Sequence, residues 1–244
     1  MMQIFKDKVV FITGTNRGIG KSLVKEVLNK GAIKVYATSR DLSKLPNFND
    51  DRVIPLKLDI TNDIEIEHCA EKAFDTQILI NNAGVLSQGN VLEGSIDNMK
   101  YDMNINYYGT INMMRAFAPI LEKNTPAKII NIVSIAAYSS LPFIAGYAAS
   151  KAALFSATQS VRIELAKKGI TVHAINPGAI DTDMNKGSDW DMTSPNDVAK
   201  SILNKVEMGV LDIIPDDMGL GMYNAWREDP ENLAKIFHDM YYQI

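Results

Sequence analysis

Seven short runs of apolar, often β-branched residues alternate with longer segments of helical periodicity, and this alternation limits the possible folds most strongly. Several runs are continuously apolar, as is typical of strands covered on both faces in a parallel sheet. The predicted strands are Val9–Thr13, Lys34–Ser39, Val53–Leu58, Ile78–Ile80, Lys128–Val133, Thr171–Ile175 and Leu211–Ile214. The predicted helices are Gly18–Asn29, Ile64–Phe74, Met99–Leu121, Tyr147–Lys168, Pro195–Met208 and Glu231–Tyr242.

This alternation predicts repeated βαβ units with right-handed crossovers. We therefore predict an α/β fold, a doubly wound, Rossmann-type parallel sheet of about seven strands with helices on both faces. No repeat, low-complexity tract or linker divides the 244 residues, so we expect a single domain. Ligands of such sheets bind outside the carboxyl ends of the strands, and functional motifs should therefore follow the strands.

Charge and composition exclude several classes of partner. The net charge is -4, and the 25 basic residues form no stripe that would follow a nucleic acid backbone. No apolar run approaches the roughly 20 residues of a membrane span, and Met1–Lys8 is too short and polar for a secretory signal. The single cysteine, Cys69, fits a reducing compartment, so we expect a cytoplasmic protein. His68, His173 and His238 lack metal-ligand spacing, so no metal is predicted.

A glycine-rich turn follows the first predicted strand and opens the first predicted helix. Glycines there allow a tight turn and a close approach of the main chain to a diphosphate, which the amides of the helix N-terminus can bind. The spacing, Gly-x-x-x-Gly-x-Gly, differs from the commoner G-x-G-x-x-G, and an ordinary glycine-rich turn is the alternative. The candidate nucleotide-binding residues are Gly14, Asn16, Arg17, Gly18, Ile19 and Gly20.

The end of the second strand indicates which nucleotide is bound. NAD-binding folds place a carboxylate on the ribose hydroxyls there, but this chain has none before Asp41. Ser39 could donate a hydrogen bond to a 2′-phosphate, and Arg40 could pair with it through its planar guanidinium, flanked by Arg17. The alternative is that both arginines are solvated surface residues. These positions favour NADP(H).

Two further segments follow strands and admit two interpretations each. Asp59, after the third strand, could accept a hydrogen bond from an adenine amino group or cap the next helix, although Thr61 and Asn62 are better placed for a cap. The small residues of Asn81–Gly84, after the fourth strand, would let the main chain pass close to a cofactor, and a plain turn is equally consistent with them.

Tyr147 and Lys151 stand at positions i and i+4 on one helix face, which is an acid–base arrangement. A nearby ammonium stabilises a phenolate and lowers the pKa of a tyrosine, which can then protonate a carbonyl oxygen. Chance alone gives roughly 0.7 such pairs in a chain of this composition, so the pair needs support. Ser134 supplies it, since it ends the fifth strand and could hydrogen-bond the same oxygen.

Six motifs occur in an order and spacing that resemble the short-chain dehydrogenase/reductase family. The resemblance covers about Lys6–Val210. It implies a dinucleotide-binding and catalytic domain. We assign residues 1–244 to one such domain, with a short substrate loop at 179–194 and a C-terminal helical tail at 215–244. The motifs are Gly14-x-x-x-Gly18-x-Gly20, Asn81–Gly84, Asn106-x-x-Gly109, Ser134, Tyr147-x-x-x-Lys151 and Asn176-Pro177-Gly178.

The resemblance implies a role for each catalytic residue. Tyr147 would be the acid/base, and Lys151 would lower its pKa and hold the nicotinamide ribose. Ser134 would orient the substrate oxygen. Asn106 would bend its helix and hold a water that links Lys151 to solvent. The resemblance also implies cofactor contacts at Asp59 and Ile60 for the adenine, at Asn82, Ala83 and Gly84, at Pro177 and Gly178 for the nicotinamide, and at Ile180 and Thr182 for its carboxamide.

The chain departs from the family pattern in three places. Val133 stands where the family often has a first serine, and Asn16-Arg17 in the glycine loop favours NADP. The chain continues past Ile213–Asp217 into a polar, aromatic tail, where many members have a glycine-rich strand that packs in a tetramer. If the chain forms a homo-oligomer, this ending favours a dimer.

These features together predict an oxidoreductase that moves a hydride between NADP(H) and a carbonyl or secondary alcohol. The segments expected to contact substrate are apolar and lack arginine, so the substrate should be neutral and fairly apolar; the alternative is that these side chains only cover the core. They contain Met184, Trp190 and Met192, and Leu141, Pro142 and Phe143. Because cells keep NADP reduced, carbonyl reduction is the expected direction. The competing functions are an epimerase or dehydratase, for which the chain lacks a substrate domain, and a non-catalytic NADP(H) sensor.

Overall fold

One seven-stranded parallel sheet organises the computed structural model, which describes residues 3–242. The outermost residues of the predicted N-terminal segment and tail, 1–2 and 243–244, lie outside the described residues. The strand order β3-β2-β1-β4-β5-β6-β7 confirms the predicted doubly wound fold, with the reversal between β1 and β4. The strands are β1 (Val9–Ile12), β2 (Lys34–Ser39), β3 (Val53–Lys57), β4 (Ile78–Asn81), β5 (Ala127–Ile132), β6 (Ile170–Ile175) and β7 (Asp212–Ile213).

The helices cover both faces of the sheet. Those that match the predicted segments begin and end within three residues of them, apart from the break described below. None of the described helices combines the length and apolar character that a membrane span requires. The helices are α1 (Gly18–Asn29), α2 (Asp63–Lys72), α3 (Ile96–Asp102), α4 (Thr110–Lys123), α5 (Ala145–Leu165), α6 (Pro195–Glu207), α7 (Asp217–Glu228) and α8 (Pro230–Tyr242).

Side chains of each strand alternate between two apolar layers. Val10 and Ile12 of β1 pack under α1 and α6, whereas Val9 and Phe11 face α2 and α4. The ring of Phe11 lies 4.5 Å from that of Phe117, centroid to centroid. Each such buried side chain stabilises the fold by roughly 1.5–3 kcal/mol, which is why continuously apolar strands require cover on both faces.

The predicted helix Met99–Leu121 is broken in the structure. A π-helical turn, Met103–Gly109, separates α3 from α4 and contains Asn106. The Thr110 hydroxyl donates a hydrogen bond to the carbonyl of Asn106 at 2.9 Å. The wide turn interrupts the regular ladder of α-helical hydrogen bonds around Asn106, and the expected bend of the helix there stays a prediction.

Helix α7 lies inside the predicted helical tail 215–244 but outside the one helix predicted there, Glu231–Tyr242. Its segment contains two glycines, Gly219 and Gly221, which weaken the helical signal. Asp216 caps it, since its Oδ1 accepts a hydrogen bond from the amide of Gly219 at 2.8 Å. The chain leaves the two-residue β7 directly into this helix. The preference for a dimer, which rests on this ending, stays a prediction.

Candidate active site

A cleft of about 860 Å³ runs along the carboxyl edge of the sheet, at the reversal between β1 and β4. Ser134, Tyr147 and Lys151 lie in its wall together with every residue predicted to bind the cofactor. Those cofactor residues are Gly14, Asn16, Arg17, Gly18, Ile19, Gly20, Ser39, Arg40, Asp59, Ile60, Asn82, Ala83, Gly84, Pro177, Gly178, Ile180 and Thr182. Asn106 alone among the predicted site residues lies behind the wall.

The glycine loop closes tightly against the segment that follows β4. Gly14 and Gly18 have φ angles of +69° and +54°, which favour glycine. A Cβ on Gly20 would lie 2.2 Å from the carbonyl oxygen of Gly14, so only glycine fits there. The Asn82 amide donates to the carbonyls of Thr13 and Gly14 at 2.9 and 2.8 Å. The two loops therefore form one main-chain cradle, and α1 begins above it without a side-chain cap.

One end of the cleft is polar and charged. The Ser39 hydroxyl donates to the carbonyl of Asp41 at 2.9 Å, and the exposed Arg40 and Lys44 both line the cleft. The guanidinium of Arg17 pairs with Asp183 at 3.1 Å, and both side chains are largely exposed. Arg17 is thus engaged across the cleft mouth, although an exposed pair of this kind exchanges readily.

Asp59 does not cap helix α2. Asn62 is the cap, since its Oδ1 accepts from the amides of Ile64 and Glu65. The Asp59 carboxylate instead accepts from the amide and hydroxyl of Thr61, at 2.9 and 2.7 Å, and it lines the cleft. The capping interpretation of Asp59 is therefore excluded.

Ser134, Tyr147 and Lys151 meet in the middle of the cleft. The ammonium of Lys151 lies 5.6 Å from the centroid of the Tyr147 ring and donates to the carbonyl of Ile132 at 2.8 Å. Ser134 follows β5 directly, and all three side chains are buried. These three polar side chains therefore lie together, because two are one helical turn apart and the third follows a strand end.

Burial controls the proton affinities of this pair. It raises the pKa of Tyr147 to about 12, which the Ser134 hydroxyl opposes and the Asp102 carboxylate reinforces. It lowers the pKa of Lys151 to about 8, which Asp102 opposes. We expected the ammonium of Lys151 to lower the pKa of Tyr147. In the protein alone the loss of solvation outweighs any such effect.

Asn106 supports the cleft wall from behind. Its Oδ1 accepts from the amide of Val85, and its Nδ2 donates to the carbonyl of Val85 and to the hydroxyl of Ser150, each at 2.9 Å. A Cβ on Gly84 would lie 3.1 Å from Asn106 Oδ1 and 3.5 Å from Lys151 Nζ. Asn106 thus holds the segment that covers Lys151. The water between Asn106 and Lys151 stays a prediction.

The other end of the cleft is apolar. Leu141, Phe143, Met184 and Trp190 line it as predicted, whereas Pro142 and Met192 do not. Four further side chains that line this end come from α7 and α8 and were not predicted. Two of them are spaced i, i+4 in α7 and two are spaced i, i+3 in α8, and this helical spacing could have indicated that each pair shares one face of its helix. They are Met218 and Met222, and Phe237 and Met240.

Two contacts fasten α7 to the rest of the site. The Tyr138 ring, just past Ser134, lies 4.7 Å from the Trp226 ring and 5.4 Å from the Tyr223 ring. The buried Asp216 accepts from the amide of Gly178 at 2.9 Å as well as capping α7. Helix α7 and the Pro177–Gly178 turn are therefore joined directly.

Within residues 3–242, no three histidine, cysteine, aspartate or glutamate side chains cluster in a way that could hold a metal ion. Cys69 is buried in the apolar layer next to α4, and burial raises the pKa of its thiol to about 11. A packing role for Cys69 fits this position, since a thiol of high pKa is a poor nucleophile.

Comparisons with known proteins agree with the geometry. A family model described as short chain dehydrogenase matches residues 8–193, more than half of the chain. An uncharacterized oxidoreductase of Staphylococcus saprophyticus is 32% identical over 212 residues, which are 81% of this chain and 90% of that protein. A short chain dehydrogenase from Burkholderia cenocepacia, solved in complex with NADP, is 35% identical with a TM-score of 0.91 and covers 96% of this chain and 98% of its own. A Burkholderia phymatum short chain dehydrogenase/reductase in complex with NAD, 23% identical over 95% of this chain and 96% of its own, shares the fold with a TM-score of 0.83.

Proposed function

Since the chain belongs to the short-chain dehydrogenase family of oxidoreductases, we propose that it transfers a hydride between NADP(H) and the carbonyl group of a neutral, fairly apolar substrate. One observation carries the proposal. Ser134, Tyr147 and Lys151 meet between the polar and apolar ends of a single cleft. A carbonyl placed there would face a proton donor on one side and a cofactor on the other.

The cradle of glycines supports a bound dinucleotide. Gly14, Gly18 and Gly20 leave the space that a diphosphate needs next to the uncapped N-terminus of α1. The adenine would lie at Asp59 and Ile60, the ribose at Lys151, and the nicotinamide at Pro177–Thr182. When bound, the nicotinamide supplies a hydride in its reduced form and a positive charge in its oxidised form.

Positive charge at the polar end supports NADP(H) over NAD(H). Arg40 and Lys44 line the cleft there, next to the Ser39 hydroxyl. A 2′-phosphate could take hydrogen bonds from Ser39 and from the planar guanidinium of Arg40. A bound 2′-phosphate could also replace the exposed Asp183 as the ion-pair partner of Arg17.

The proposed mechanism assigns one proton transfer to Tyr147. As the carbonyl carbon accepts the hydride, the phenolic O–H bond of Tyr147 breaks and its proton moves to the carbonyl oxygen. The Ser134 hydroxyl donates a hydrogen bond to the same oxygen and stabilises the developing charge. Lys151 stabilises the Tyr147 phenolate that results, until a proton from solvent regenerates the phenol. Carbonyl reduction is the proposed physiological direction.

The apolar end of the cleft supports a neutral substrate. The substrate loop 179–194 and the tail from residue 215 contribute methionines and aromatic rings to it, among them Met184, Trp190 and Met222. No arginine or lysine from these segments lines the cleft in the part of the chain that the structure describes. Such a pocket accommodates an apolar ketone or aldehyde better than a sugar acid or an acyl thioester.

The test is NADPH consumption against a panel of carbonyl compounds, by the wild type and by Y147F. We expect the wild type to reduce apolar ketones or aldehydes and Y147F to lose at least about 100-fold in kcat, because general acid catalysis contributes about that much. Tyr108→Phe, at an exposed tyrosine, is the control and should keep full activity. Undiminished turnover by a folded, NADPH-binding Y147F would refute the mechanism. Nucleotide binding by the wild type without any turnover would favour an NADP(H) sensor.

A further inference from the structure

The proposed mechanism leaves one buried carboxylate without a role. Asp102 ends α3, four positions before Asn106, and its side chain is 0% exposed. It forms no ion pair within the described residues 3–242; its hydrogen-bond donors all belong to Ser87. The amide of Ser87 lies 3.0 and 3.2 Å from the two carboxylate oxygens, and the Ser87 hydroxyl donates at 2.8 Å. A buried charge of this kind is costly, so its presence requires an explanation.

Asp102, Asn106 and Lys151 lie in a row along the segment that follows β4. Lys151 Nζ lies 3.5 Å from the position of a Cβ on Gly84, Asn106 bonds to the amide and carbonyl of Val85, and Asp102 accepts from Ser87. Asn106 and Asp102 thus hold this segment by hydrogen bonds, and Lys151 lies beside its Gly84. Gly84 and Val85 also line the cleft.

Helix α3 and helix α5 are in close contact at this row. A Cβ on Gly146, the neighbour of Tyr147, would lie 3.0 Å from the Cα of Met99 in α3. The absence of a side chain at Gly146 therefore lets the helix that carries Asp102 approach the helix that carries Tyr147 and Lys151. Charges buried in one such layer interact more strongly than they do in water.

The titratable groups that interact with Asp102 are Tyr147 and Lys151, both on α5. Its negative charge raises the pKa of each. For Lys151 this opposes burial, which lowers the pKa to about 8. Burial raises the pKa of Asp102 itself, whereas the hydrogen bonds from Ser87 and the charge of Lys151 lower it and so stabilise the carboxylate.

We propose that Asp102 is a positioning residue of the reaction, whose buried carboxylate fixes the Ser87 end of the cleft wall and supplies the negative charge that keeps Lys151 an ammonium and Tyr147 a proton donor. The inference rests on the proposed function, since it assigns both groups their catalytic roles. The Asp102 charge would also favour carbonyl reduction over alcohol oxidation, because a negative charge beside Tyr147 favours the protonated phenol that carbonyl reduction needs.

The test is the pH dependence of kcat/KM for D102N, which removes the charge and keeps the shape of the side chain. Both pKa values on α5 should fall, so the loss of carbonyl reduction at high pH should move to lower pH by on the order of half a unit or more. In alcohol oxidation, where the phenolate is the base, the rise of activity with pH should move in the same direction. Asp102→Ser, which removes the charge without overfilling the site, replaces D102N if the asparagine variant does not fold.

Ser87→Ala is the matched control, since it loses the 2.8 Å hydrogen bond and keeps the carboxylate. We expect its kcat/KM to fall because the wall is held less firmly. The pH at which its activity declines should equal that of the wild type. The inference is overturned if the pH at which activity declines is unchanged in a folded D102N that binds NADPH by fluorescence titration. It is also overturned if Ser87→Ala shifts that pH as much as D102N does. Failure of the proposed function is a separate result, namely a wild type without turnover or an active Y147F.

Discussion

Solvation decides what the polar side chains of the cleft can do. Tyr147 and Lys151 are buried, and their pKa values move in opposite directions, to about 12 and about 8, because burial disfavours each charged form. Arg40 and Lys44 are exposed basic side chains of the kind that attract a phosphate. The two halves of the cleft therefore differ in solvation, and we propose proton transfer in the buried half and anion recognition in the exposed half.

Cofactor choice is a prediction at the scale of one residue. Ser39→Asp places a carboxylate where a 2′-phosphate would bind, and the same carboxylate can accept hydrogen bonds from ribose hydroxyls. We expect the ratio of kcat/KM for NADPH to that for NADH to fall by about 10- to 100-fold, as for the loss of a charged hydrogen-bonding site. Ser39→Ala, which removes the hydroxyl without adding charge, should change the ratio less. An unchanged ratio in Ser39→Asp would show that the 2′-phosphate binds elsewhere or is not used.

Helices α7 and α8 act together as one wall of the apolar end. Aromatic contacts of Tyr138 with Tyr223 and Trp226 attach α7 to the segment after Ser134, and Asp216 joins it to Gly178. Leu233 and Phe237 of α8 pack against Leu141. These contacts make the tail part of the site, although it lies beyond the residues that the family model matches.

The role of this wall is tested by a charge placed on it. Met222→Asp brings a carboxylate into the apolar end, where an apolar substrate cannot compensate its desolvation. We expect kcat/KM for apolar carbonyl compounds to fall at least about tenfold, with NADPH affinity unchanged, since about 1.4 kcal/mol of lost binding suffices. Met208→Asp, on a 68% exposed methionine, is the matched control. Equal kinetics for the two variants would mean that the substrate does not reach α7.

We expect the stability of the whole molecule in acid to depend on a histidine outside the cleft. His173 on β6 is fully buried, and its Nδ1 lies 2.7 Å from the carbonyl of Val210, to which the neutral ring donates. Its Nε2 has no partner among the described residues. Burial lowers the pKa of His173 to about 4, with the nearby Lys128 and Arg162 acting in the same direction. Protonation therefore favours the unfolded chain.

The sign follows from the two pKa values. An unfolded histidine titrates near 6.5, so between about pH 6.5 and 4 the unfolded state binds more protons, and the free energy of unfolding falls as the pH falls. The loss should reach up to roughly 3 kcal/mol. In His173→Asn this part of the pH dependence should disappear, even if the variant is less stable at pH 7. Urea unfolding at several pH values measures it, with the exposed His238→Asn keeping the wild-type slope; a wild-type slope in His173→Asn would contradict the prediction.

The amino-acid sequence by itself determined the sheet and the location of the site. Continuously apolar strands need cover on both faces, and the carboxyl ends of parallel strands meet at one edge, so Gly14, Asn82, Ser134 and Gly178 had to come together whatever the loops do. Local spacing was sufficient for these parts, because neighbours along a helix or at strand ends are also neighbours in space.

Only the tertiary structure decided the rest. Contacts between residues far apart in the chain include the hydrogen bonds of Asn106 to Val85 and Ser150, the pairing of Arg17 with Asp183, the wall made by α7 and α8, and the contact of α3 with α5. The proton affinities of Tyr147 and Lys151 depend likewise on how completely the fold removes water. Contacts between distant segments and desolvation arise only when the chain has packed, so no local pattern of residues encodes them.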